Sequence, residues 1–179
     1  MKKQYYKENK TIAFIPELTK QVEIGNKTMT RRLTGLEKVN ISPDDFRFDG
    51  VDEKDANIYY FEELKVGEPT ESYIIVRSKY RVGEIVNVES TDKKIQITDV
   101  RAERLKNISE EDAISEGIDK KGDLYFNYFE SEELEKFFPK EYFYKENTKV
   151  SFMSLWSKIN GIDSWIANPW VWVYEFKIL

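Results

Sequence analysis

The sequence predicts an α+β domain built on a small β-barrel, with short helices and two insertions. Three observations lead there. Short runs of β-branched and aromatic residues recur at close spacing from Ser72 onward, punctuated by turns rather than long helices. Helical signals are confined to short stretches. The chain also closes on Trp170–Leu179, a long strand whose two faces are both apolar at its start, as in a strand central to its sheet. A length of 179 residues is about one domain. The whole chain, 1–179, is therefore read as a single unit.

Taken in order, Thr11–Ile15 reads as a first strand ended by Pro16. Glu17–Ile24 can form a short helix stopped by Gly25. A polar, basic run follows, from Gly25 to Arg32. Residues from about 36 to 71 are acidic and loop-like, the first insertion, held down by an aromatic patch at Tyr59-Tyr60-Phe61. Ser72–Arg77 and Ile85–Val88 then read as strands flanking a turn at Tyr80–Gly83. Lys94–Leu105 alternates as a longer strand through Ile95 and Ile97. Ser109 is a capping residue ahead of Glu110-Glu111-Asp112, and Gly117 ends that helix. Residues 119–150 form the second insertion, with a helix expected at Ser131–Phe138. In Ser151–Ile159, Phe152, Leu155, Trp156 and Ile159 lie at helical spacing.

Composition narrows the chemistry by what is missing. There is no Cys and no His. Disulfides, thiolate metal sites, Cys nucleophiles and the Ser-His-Asp triad are excluded, along with the commonest general base. Catalysis has to run on Lys, Thr, Ser, Tyr and carboxylates, or on an oxygen-bound ion such as magnesium. No metal or cofactor site is expected. No stretch approaches the roughly 18 apolar residues of a membrane span, and the basic first residues lack a signal-peptide core. A cytoplasmic protein with no membrane partner is the expectation. Residues 1–35 hold six Lys and two Arg against three Glu, a local +5 in a chain of net charge −5. Such a chain is a poor nonspecific polyanion binder, yet it can hold a phosphate in one basic cleft.

That basic region holds the candidate site. Lys27 and Thr30 are three apart, which places them on one face of a helical turn. Arg31 and Arg32 beside them lower the pKa of Lys27, and a deprotonated Lys next to a Thr hydroxyl makes a minimal activated nucleophile. The same run also fits a solvated turn. Glu116, at the predicted helix C-terminus, feels the negative end of the helix dipole and suits proton transfer, or else simply faces solvent. Arg31 and Arg32 are the candidates for substrate or phosphate contact. Trp170 belongs to the core or stacks a base.

The run Gly25-Asn26-Lys27-Thr28-Met29-Thr30-Arg31-Arg32 resembles the GxKTxTxR signature of ASCH domains, and especially the ASCH-like proteins of phages and prophages. Two later stretches carry the same resemblance: Ile97 to Leu105 continuing through Ile108–Ala113 to Glu116-Gly117-Ile118, and Asn168-Pro169-Trp170 through Phe176. The match spans residues 25–176 without the insertions. It departs at Gly83–Ser90, where phage relatives usually carry a Trp-Val-Arg-Glu run. The resemblance implies a PUA-like fold and RNA or a modified nucleoside as partner. Some small ASCH proteins deacetylate 4-acetylcytidine through a Lys, a Thr three residues on and a Glu near the end of the following helix, positions matched by Lys27, Thr30 and Glu116. Arg32 matches the Arg of the signature. The alternative is a noncatalytic phage RNA-binding or protein-interaction module. The catalytic reading requires residues 25–32 beside 109–117, Lys27 within hydrogen-bond reach of Thr30, and Glu116 facing their pocket.

Overall fold

The computed structural model describes residues 10–64, 72–118, 120–121, 124–125 and 147–179. In chain order these form β1 (Thr11–Ile12), α1 (Pro16–Glu23), β2 (Met29–Arg32), two 3-10 turns, β3 (Phe46–Val51), β4 (Ile58–Glu63), β5 (Tyr73–Arg77), β6 (Ile85–Val88) and β7 (Lys94–Arg104). After a third 3-10 turn come α2 (Glu110–Ser115), β8 (Lys120–Lys121), β9 (Leu124–Tyr125), α3 (Thr148–Asn160), α4 (Ile162–Ala167) and β10 (Trp170–Ile178).

The fold is α+β, but its main sheet is not a closed barrel. Five strands run in the order β1-β6-β7-β10-β2, so β1 and β2 are two unpaired edges. The β1–β6 pair is parallel and the rest are antiparallel. Closure would need β1 and β2 to meet. Instead β1 lasts two residues, and the chain turns at Pro16 into α1.

β10 is central, as its two apolar faces require. Trp170, Trp172, Tyr174 and Phe176 point into one core cluster, and Val171 and Val173 into a second. The first cluster lies between this sheet and a three-stranded sheet, β3-β4-β5. Here the expectation of a loop-like first insertion is corrected. Residues 46–63 form β3 and β4, because alternate side chains of β4 have a surface to bury against. Tyr59 meets Trp172 edge-on at 4.6 Å and Phe61 meets Trp170 at 5.0 Å, contacts worth about 1 kcal/mol each beyond simple burial. β5 is likewise not the hairpin partner of β6. It pairs with β4, and the stretch after it crosses between sheets, pinned where the Tyr80 hydroxyl donates to the Thr11 carbonyl at 2.7 Å.

The second cluster packs α1, α2 and α3 against the other face of the five-stranded sheet through Leu18, Ala113, Phe152, Leu155 and Trp156. The expected cap is present, with Ser109 Oγ accepting from the Asp112 amide at 3.0 Å. Asn168 takes a left-handed conformation (φ 48°) that turns α4 into Pro169 and β10. Its Oδ1 accepts from the Lys106 amide, tying that turn to the end of β7. The helix expected at Ser131–Phe138 falls outside the described residues. No helix among the described residues is long and apolar enough to cross a membrane.

Candidate functional site

The end of the run, Met29–Arg32, is the edge strand β2, reached by an extended connection through residues 26–28 rather than by a solvated turn or a helical turn. Gly25, at φ 84°, ends α1, and Asn26 and Lys27 both donate backbone N–H groups to the Gln21 carbonyl. The Thr28 amide donates to the Ser115 carbonyl at 2.9 Å, docking the run onto the end of α2. Residues 25–32 and 109–117 therefore do meet. β2 then pairs with β10, Thr30 opposite Tyr174 and Arg32 opposite Trp172.

Lys27 is wholly buried. Its ammonium donates to the Met29 carbonyl (2.7 Å), the Glu116 carbonyl (2.7 Å) and Glu116 Oε2 (2.9 Å), which uses all three of its protons. Burial holds its pKa below the ordinary lysine value. Glu116 opposes that shift, and Arg32 and Arg31 add to it. The close approach of α2 depends on Gly117, at φ 85°, where a Cβ would stand 2.9 Å from the Lys27 Cβ and 3.2 Å from that of Gln21. Gly117→Ala is expected to destabilise the fold by about 3 kcal/mol in urea unfolding, combining a left-handed penalty with overpacking. A loss below about 1 kcal/mol would show that the contact yields easily.

A pocket of about 530 Å³ opens beside this pair, within the range of small-molecule sites. Ala13, Phe14 and Ile15 form one side, Thr30 to Thr34 and Glu116 the floor, and Phe152, Leu155 and Trp156 of α3 an apolar wall. Thr30 and Glu116 reach it; Lys27 stands behind Glu116. Lys27 and Thr30 share no hydrogen bond, so that part of the expected geometry is absent. The Thr30 hydroxyl makes no hydrogen bond to any described residue.

Arg32 lines the pocket and has no carboxylate partner among the described residues. One of its terminal nitrogens donates to the Ala13 carbonyl at 2.6 Å, and its guanidinium lies 5.1 Å from the centre of the Phe14 ring. Its Nε is buried with no partner among the described residues. Burial pushes its pKa below the ordinary arginine value, against the pull of Glu116.

Arg31 lines the same pocket but is already engaged, and Trp170 lies outside it. Arg31 is 4% exposed and engaged by Glu103, Asp112 and Glu116, leaving no free donor fork for a phosphate. Trp170 packs on Phe61, donates Nε1 to the Pro43 carbonyl at 3.0 Å and carries Arg104 over its ring. It is a core residue outside the pocket. Phe14 and the α3 wall are site residues that no sequence motif marks. The helical spacing of Phe152, Leu155 and Trp156 marked a buried face, but not that part of it borders a cavity. Among the described residues no group of three or more carboxylates is arranged to hold a metal ion.

No protein-family model, curated protein or solved structure matches this chain.

Proposed function

We propose that this chain is a PUA-like ASCH amidohydrolase that removes an N-acyl group from a cytidine-type nucleoside, with Thr30 as nucleophile and Lys27 with Glu116 carrying the proton. The observation that carries the reading is the junction of buried Lys27 to Glu116 Oε2 at 2.9 Å, where Glu116 borders the pocket that Thr30 also lines. The motif resemblance at residues 25–32 and 97–118 supports the same roles. Thr30 Oγ adds to the acyl carbonyl carbon, and its proton passes to the Lys27–Glu116 pair. The C–N bond breaks as that proton returns to the exocyclic nitrogen, leaving an acyl ester on Thr30. Water then cleaves the ester, losing a proton to the same pair, which returns it to Thr30 Oγ as the carboxylic acid departs. Arg32, which lines the pocket without a carboxylate partner among the described residues, binds an acceptor group of the substrate.

Incubating the pure protein with N4-acetylcytidine and following acetate release tests the reading. Steady turnover that stops with Thr30→Ala supports it. Inactivity across acylated cytidines, with RNA binding retained, would favour the noncatalytic module. Arg32→Gln is expected to raise the KM or Kd for the nucleoside by about 10- to 100-fold, the worth of a hydrogen bond to a charged donor. Unchanged affinity would remove Arg32 from the binding site.

A further inference from the structure

We propose that Arg31 is a positioning residue, a guanidinium clamp that fixes the Glu116 carboxylate between Lys27 and the pocket. The inference rests on the amidohydrolase reading, and it assigns a task to side chains that reading leaves unused. Strand alternation turns Arg31 away from Thr30 and Arg32, toward α2 and α3. There its Nη1 donates to Glu116 Oε1 at 3.1 Å while Lys27 holds Oε2 at 2.9 Å, so each carboxylate oxygen has its own cation. Glu116 sits at the C-cap of α2, beyond the last helical residue, and these two donors are the contacts that aim its side chain.

The clamp is itself clamped. Arg31 donates through Nε (3.1 Å) and Nη2 (2.5 Å) to Glu103 Oε1, and through Nη2 to Asp112 Oδ2 at 2.6 Å. The Phe152 ring lies 5.7 Å from its guanidinium carbon. From the outer side, Arg101 donates to Asp112 Oδ2 at 2.7 Å and pairs with Glu103 Oε2 at 3.4 Å. The sheet register explains why two arginines share two acids. Val173 of β10 stands opposite Arg31 on one side and opposite Arg101 on the other, so the pair straddles one strand. Bridging three carboxylates from β7, α2 and the α2 cap needs a planar fork, which a lysine lacks. Burial opposes the Arg31 charge, yet Glu116 and Glu103 hold its pKa above the ordinary arginine value.

The test uses the full chain with Arg31→Lys, Arg31→Met and Asp112→Asn. Deacetylation of N4-acetylcytidine should fall in kcat by about 10²-fold for both Arg31 variants, the cost of a misplaced catalytic group, with KM within about twofold. Asp112→Asn leaves Arg31 in place and should give a smaller fall in the same direction. The groups facing Lys27 are Glu116, Arg32 and Arg31, so losing the Arg31 cation should move the alkaline limb of the pH profile to higher pH. Arg31→Lys keeps the charge and loses the planar fork, so a fall in its kcat at unchanged KM is the reading a purely structural role would not give. NMR titration of the Lys27 side-chain amine reads the same shift without any substrate. A wild type that is inactive while Lys27 still titrates higher in Arg31→Met would defeat the amidohydrolase reading and keep the clamp. Wild-type kcat in Arg31→Lys, or an unmoved Lys27 titration in every folded variant, would overturn the clamp. If Arg31→Met fails to fold, Arg31→Gln, which also removes the cation, supplies the titration reading, and Arg31→Lys with Asp112→Asn supplies the kcat reading.

Discussion

Thr30→Ala should lower kcat toward N4-acetylcytidine by at least about 10⁴-fold while leaving nucleoside affinity within a few-fold, because it removes the one atom that forms the covalent bond. The fold should tolerate the change. Thr30 is 3% exposed in the edge strand β2, and its backbone pairing with Tyr174 does not depend on the side chain. Its hydroxyl has no hydrogen-bond partner among the described residues, so truncation strands no buried group. Thr30→Ser keeps a nucleophile with a looser χ1 and should retain measurable turnover. Mass spectrometry of the wild type quenched during turnover should find an acetyl group on Thr30. Wild-type rates in Thr30→Ala, or acetate release with no acyl-enzyme and no loss in the variant, would remove Thr30 as nucleophile.

Much of the fold is legible in the sequence where a local pattern has one physical reading. β10 is a central strand because a half-solvated one would not place Val171 and Val173 between Trp170, Trp172 and Tyr174. α2 begins at Ser109 because its hydroxyl is three residues from an amide that needs an acceptor. What is not legible is pairing over distance. The three-stranded sheet exists because Tyr59 and Phe61 find Trp172 and Trp170, more than 100 residues away, and the acidic residues around β3 and β4 disguise it as a loop. The same distance closed off the barrel expectation, since only the strand order shows that β1 and β2 sit at opposite edges.

The candidate site divides in the same way. Lys27, Thr30 and Glu116 could be picked out by residue type and motif, but the helical spacing argument for Lys27 and Thr30 fails because the segment is extended. What joins the group is the reach of the Lys27 side chain to Glu116, eighty-nine positions on. Arg31 and Arg32 are adjacent in sequence and look equivalent, yet a strand sends them to opposite sides. One meets three carboxylates and the other meets none among the described residues. Strand or turn was the physical question that decided their roles, and β10, the partner that makes β2 a strand, lies at the far end of the chain.

Lys27→Arg should lower kcat by about 10²- to 10⁴-fold, the usual worth of a general base, for a reason that is chemical before it is steric. Burial holds the Lys27 amine below its ordinary pKa, so part of it is neutral as pH rises toward the free-lysine value of about 10.4. Activity in the wild type should therefore increase with pH through that lowered midpoint and fall away below it, where the ammonium has no lone pair to take the proton that Glu116 relays from Thr30. An arginine at this position stays charged at every accessible pH, so the limb should vanish rather than shift. The larger head must also fit beside Gly117, whose absent Cβ is what leaves room for the Lys27 stem. Lys27→Met controls for that crowding, being unbranched and neutral, and it should be equally inactive. Its cost falls on stability instead, since Glu116 then keeps Arg31 but loses the cation on Oε2. Urea unfolding and nucleoside binding separate the two effects. A folded, ligand-binding Lys27→Arg with an intact pH limb and wild-type kcat would mean that some other group takes the proton.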